Sequence, residues 1–174
     1  MNLEWFSRWL IPTAFSLLPN RLGLPEAKAL VTAICLQESA LQNRKQIVIP
    51  AKGDNLPVYG AARGLAQFEP VACIEVMGHH ATRDVAKSLL KTLLYTEATP
   101  TEVYAALEHN DILAVTFARL LLWRDPKKLP EQDESEVAWN YYLRNWRPGK
   151  PHEDKWEGNF NSAWNAYVHV SEGL

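Results

Sequence analysis

Cysteine is scarce in this chain, with Cys35 and Cys73 the two thiols among 174 residues. Two thiols make no disulfide framework; they fit a reducing compartment or burial, and one bridge between them stays geometrically open. A zinc site from Cys35, Cys73, His79 and His80 lacks any recognised ligand spacing, so neither a metal nor a cofactor is expected. Charge of one sign is missing as well. The formal net charge is −2 and no basic run occurs, which argues against nucleic acid or an anionic membrane surface as a partner. No apolar stretch is long enough to span a bilayer. Trp9 to Leu18 is apolar apart from Thr13 and Ser16, but it is too short. That run also makes a poor secretory signal, because Glu4 stands where positive charge belongs, Pro12 interrupts it and no small-x-small site follows. A helix of the domain is expected there, without membrane insertion, and a secretory signal or anchor is the minority alternative. Internal repeats, low-complexity tracts and domain linkers are absent too.

What remains is ordinary globular usage, 47% hydrophobic and 22% charged, over a length that one domain with a proper core accommodates. We therefore expect a single domain over 1–174, with 1–22 as an N-terminal helical extension packed on it. The seven Trp and six Tyr exceed packing needs and leave two readings open, extra core mass or the lining of a sugar-binding groove.

Punctuation along the chain predicts a mostly helical architecture. Residues 3–18 read as one helix bent at Pro12, and Pro25-Glu26 starts a second helix that runs to about Leu41. Between Asn43 and Phe68 the character changes. Ile47-Val48-Ile49 and Val58-Tyr59, separated by turn chemistry at Gly53-Asp54-Asn55, predict a short strand pair. Helices follow from Pro70 to Gly78 and at about 81–95, 100–108, 110–124, 134–146 and 159–171. Lys127 to Ser135 reads as a surface loop, and Asn145 to Pro151 as a rigid one.

One residue breaks the pattern of the second helix. Ala27, Leu30, Val31, Ile34 and Cys35 form an apolar stripe, and Glu38 continues it. A carboxylate on a buried face is costly unless paired or protonated, and the negative end of the helix dipole disfavours it further. Both effects raise its pKa towards the range of a general acid near neutral pH. The competing account is a glutamate turned sideways to pair with Arg44 or Lys45.

Three separated pieces stand in order around this residue: Glu38-Ser39, Gly64-Leu65-Ala66-Gln67 and Ala138-Trp139-Asn140. The set resembles the lysozyme-like lytic transglycosylases and related phage-type peptidoglycan-degrading domains, whose usual pattern is Glu-Ser, Gly-Leu-x-Gln and Ala-Tyr-Asn. The resemblance covers about residues 20–172. Trp139 stands where tyrosine is usual, and Asn140 is followed by Tyr141-Tyr142 rather than Ala-Gly, so Tyr142 is the candidate to supply the missing hydroxyl. The fold implied is a mostly α (α+β), lysozyme-like domain, with a small β-like lobe between the catalytic helix and the Gly-Leu-x-Gln loop.

The resemblance also implies an activity, cleavage of the bond between N-acetylmuramic acid and N-acetylglucosamine. In the family one glutamate protonates the glycosidic oxygen and then removes the muramyl 6-hydroxyl proton, closing a 1,6-anhydro ring. Glu38 matches that acid/base. Ser39, Gln67, Asn140 and Tyr142 fall at substrate-binding positions, and Gly64 would let the loop backbone approach the ligand. Arg63 is a further candidate, for glycan carboxylates or for a surface ion pair. The partners implied are peptidoglycan glycan strands, and other virion or lysis proteins, with action on the cell wall from a phage particle or from host cytoplasm or periplasm. Two alternatives stay open. A hydrolase would need a second carboxylate roughly 5–9.5 Å away, for which Asp54 and then Glu69 are candidates, and a non-catalytic glycan-binding module would need none.

Overall fold

Helical structure begins at Leu3 and runs to Ser16 in three pieces: α1 (Leu3–Trp5), a π-helical stretch Phe6–Leu10, and α2 (Ile11–Ser16). Pro12 explains the break. Its ring lacks an N–H and crowds the carbonyl one turn back, and the chain widens so that the Ile11 N–H reaches Phe6 O. The structure, a computed structural model, describes residues 1–48 and 58–171, with the side chains described as far as 167.

α3 (Pro25–Ser39) starts on Pro25 with Glu26 in its first turn, and Ala27, Leu30, Val31, Ile34 and Cys35 are all fully buried. It stops at Ser39, two residues before the expected end. Ala40 and Leu41 both take left-handed backbone (φ 49° and 57°), and the Ala40 N–H closes the helix on Leu36 O. The Ser39 hydroxyl donates to Cys35 O at 2.9 Å and accepts from the Leu41 N–H at 3.2 Å.

The expected strand pair is present. β1 (Lys45–Val48) and β2 (Val58–Arg63) run antiparallel in the register Lys45↔Arg63, Ile47↔Tyr59 and Val48↔Val58, with an irregularity between Lys45 and Ile47. Ile49 and the turn Gly53-Asp54-Asn55 lie outside the described residues.

The remainder is helical: α4 (Pro70–Gly78), α5 (Arg83–Thr92), α6 (Pro100–Ala106), α7 (Asp111–Trp123), α8 (Ser135–Trp146) and α9 (Glu153–Ser171). A Thr99–Glu102 capping box starts α6, and the Asn110 side chain accepts the Leu113 N–H at the start of α7. α9 begins at Glu153, earlier than the predicted 159. Glu153 and Asp154 favour the positive end of its dipole, and Trp156 in the added turn is buried.

α7 forms the centre of the core, with every residue from Leu113 to Leu122 buried. α3 lies along α9, where the Thr32 and Tyr167 hydroxyls meet at 2.7 Å. Phe6, Ile11 and Leu22 belong to the same hydrophobic cluster as α3, α7 and α8, so the first 22 residues share the core. Cys35 and Cys73 are buried free thiols; burial pushes Cys73 up to about 12 and Cys35 higher still. The protein is thus mostly helical with one small two-stranded sheet, and among the described residues no helix is long and apolar enough to cross a membrane.

Candidate active site

Glu38 sits in the last turn of α3, half-buried, and its Oε1 accepts a hydrogen bond from the Tyr142 hydroxyl on α8 at 2.7 Å. Burial raises the carboxyl from 4.5 to about 7; the Tyr142 bond opposes that rise and the negative charge of Glu69 adds to it. The two cations nearest to it in sequence, Arg44 and Lys45, are engaged elsewhere. Arg44 grips Asp111 with both ends of its guanidinium, at 2.7 and 2.6 Å, and Lys45 faces Glu108 at 3.9 Å. Glu38 is therefore a partly desolvated acid with a hydroxyl on one oxygen and no paired cation among the described residues.

The second oxygen, Oε2, has no hydrogen-bond partner among the described residues, and the residue lines a cleft of about 700 Å³. One wall is the β1–β2 strand pair with Gln46, Ile47, Val48 and Ala62; the last residues of α8, Asn145 and Trp146, and the loop Arg147–Lys150 after it form another. Gln67, Phe68, Glu69 and the first turns of α4 complete it. Both charge signs are represented, with Glu69 and Glu75 on the α4 side and Arg147 and Lys150 on the loop. Glu75 is paired with Arg124.

Tyr142 is held by rings. It stacks on Trp156 with centroids 5.1 Å apart, and Trp139 lies 5.3 Å away. Trp146, one turn on, donates its indole N–H to Ala66 O at 2.7 Å and meets Phe68 edge-on. α8 is thereby tied both to Glu38 and to the Gly64–Gln67 turn.

That turn is closed by reciprocal backbone bonds between Arg63 and Phe68 and by the Gly64 N–H on Arg44 O at 2.8 Å. Gly64 has φ +72°, and a Cβ there would stand 2.7 Å from Leu107 O and 3.0 Å from the Ala114 Cβ. Close packing on the α6–α7 junction accounts for this glycine, rather than approach to a ligand. Gln67, at φ 49°, donates from Nε2 to Gly64 O at 2.8 Å and to Asn43 O at 3.1 Å. Its Oε1 has no partner among the described residues, and the residue lines the cleft.

The structure brings Glu38, Tyr142 and Gln67 together and leaves other candidates out. Ser39 is buried behind Glu38 as a cap of α3. Asn140 is exposed, donates to Glu136 O at 3.0 Å and does not reach the cleft. Arg63 pairs with Glu108 at 2.9 Å. Glu69 is exposed at the cleft, whereas Asp54 lies outside the described residues. Asn43, Trp146, Arg147 and Lys150 also line the cleft and belong to none of the three motif pieces; the two prolines and glycine of Asn145–Pro151 are the signal in the sequence for the last three. Trp139, Tyr142, Trp146, Trp156 and Trp164 form one chain of ring contacts through Phe160, whereas Trp5, Trp9 and Tyr59 are exposed, and Trp146 is the tryptophan that faces the cleft. Among the described residues, no three His, Cys, Asp or Glu side chains cluster to hold a metal ion.

Searches against protein-family models, curated proteins and solved structures found no match to this chain.

Proposed function

We propose that this protein cleaves peptidoglycan glycan strands between N-acetylmuramic acid and N-acetylglucosamine, acting as a lysozyme-like lytic transglycosylase of phage type. The observation that carries the reading is Glu38, an acid raised to about 7 and oriented by Tyr142 at a cleft of oligosaccharide size. Near neutral pH a large share of Glu38 is protonated. With Oε1 held by Tyr142, the proton sits on Oε2 and passes to the glycosidic oxygen as the C1–O bond breaks. The carboxylate then accepts the proton of the muramyl 6-hydroxyl, whose oxygen bonds to C1 and closes the 1,6-anhydro ring. No water is consumed. Gln67 Oε1 is placed to accept from an acetamido N–H, since its Nε2 is held by two carbonyls.

A specific observation also favours a second reading. Glu69 lines the same cleft and its charge raises Glu38, as a second carboxylate activating water would. Digestion of purified bacterial walls followed by mass spectrometry of the products separates the two. Anhydro ends are expected, and reducing ends would move the assignment to a hydrolase. Glu38→Gln should stay folded and lose nearly all release. Equal clearing by that variant would sink both readings, and wall binding without release by the unaltered protein would leave a glycan-binding module.

A further inference from the structure

A second cavity, of about 360 Å³, lies between the start of α3, the end of α7 and the loop that follows it, and it shares no lining residue with the cleft. Much of its wall is apolar, with Leu24, Leu122, Trp123 and Leu129. Two charged side chains in that wall carry buried atoms that no described residue satisfies. Arg119 is 1% exposed; its Nε donates to Leu22 O at 2.7 Å, while Nη1 is buried without a partner among the described residues. Glu26 Oε2 is likewise buried and unpartnered. Of the other charges at the cavity, Asp125 is matched by Arg144 at 2.6 Å and Lys128 by Glu131, while Lys127 is exposed to solvent.

A buried guanidinium with a free N–H and a buried carboxylate oxygen with no donor are both costly arrangements. Burial lowers Arg119 to about 10, which leaves it charged at neutral pH. The pair do not bond each other, so one molecule presenting an anion to Arg119 and a cationic donor to Glu26 would satisfy both and add no net charge. The remaining wall asks for an apolar body, and Trp123 offers a ring that already has the Arg119 guanidinium 5.2 Å from its centroid.

We propose that this cavity is a binding site for a zwitterionic α-amino acid with an apolar side chain. Its carboxylate accepts from Arg119 Nη1, its ammonium donates to Glu26 Oε2, and its side chain lies against Leu122, Trp123 and Leu129. The volume suits a small ligand rather than a peptide.

Titration of the full chain with L-leucine and L-phenylalanine tests this, by calorimetry and by the Trp123 indole N–H resonance. Saturable one-to-one binding of at least one of them is expected. N-acetyl-L-phenylalanine, which lacks the ammonium, and L-phenylalaninamide, which lacks the carboxylate, should each bind about tenfold more weakly or worse. Glu26→Gln, at a half-buried position, should weaken binding by a similar factor and leave wall clearing unchanged; Arg119→Met should abolish binding, and if it fails to fold, Glu26→Gln carries the test. No saturable binding of either amino acid at millimolar concentration overturns the proposal and leaves a water-filled cavity. Equal binding of the blocked compounds, or of N-acetyl-L-phenylalaninamide, overturns the charge pairing and marks a neutral amide site.

Discussion

Replacing Tyr142 with phenylalanine removes the O–H that donates to Glu38 Oε1 at 2.7 Å and keeps the ring that stacks on Trp156. A hydrogen bond to a charged acceptor contributes about 1.5–3 kcal/mol. The bond is stronger to the carboxylate than to the neutral carboxyl, so its loss disfavours ionisation. With one pKa unit equal to about 1.4 kcal/mol, Glu38, already raised to about 7, should climb a further ~1–2 units. Carbon-detected NMR titration of the Glu38 carboxyl reads this directly. In wall-clearing assays the alkaline limb of the pH profile should move up by the same amount, because the protonated acid persists to higher pH. Urea unfolding would first show that the variant is folded. A Glu38 carboxyl whose pKa stays put, or falls, in Tyr142→Phe would refute the claim that this hydroxyl holds the carboxylate.

Further outcomes follow from the same geometry. Glu38 ionises near 7 when folded against 4.5 as a free side chain, so its contribution to stability is fully present below 4.5 and is lost as pH rises through 7. Glu38→Gln should therefore be more stable than the unaltered protein at pH 8, by up to about 3 kcal/mol, with the difference gone near pH 4; urea unfolding at both values checks it. Gly64→Ala places a Cβ 2.7 Å from Leu107 O on left-handed backbone and should cost about 1–3 kcal/mol from backbone strain alone, read as a lower urea midpoint. Asn140→Ala should leave wall clearing intact and stability within about 0.5 kcal/mol, because the side chain faces solvent and donates within its own helix.

Local features of this chain were readable where local physics decides them. Pro25, Thr99-Pro100 and Asn110 announced helix starts that the structure contains, and the apolar stripe of α3 placed Glu38 on its inner face. The end of α3 was not readable, since Ala40 and Leu41 adopt left-handed backbone that neither residue type favours. Long-range pairing was equally hidden. Nothing near Arg44 or Lys45 in sequence points to Asp111 or Glu108, yet those pairings are what keep both cations away from Glu38. Gly64 was legible as a glycine that matters, but its reason, the Leu107 carbonyl, lies 43 positions away. Asn140 was misplaced because a three-residue motif says nothing about which side of its helix faces the cleft.

Tyr141 and Tyr142 are consecutive on α8 and so project about 100° apart. The first hydroxyl reaches Leu122 O at 3.1 Å in α7, and the second reaches Glu38 in α3. α8 is keyed at two angles, and turning it about its own axis to improve one bond breaks the other. The helix consequently has one rotational seat. Inserting a single residue ahead of the pair, which leaves composition and helix propensity nearly untouched, would unseat both hydroxyls at once and take the proton-bearing carboxyl out of alignment.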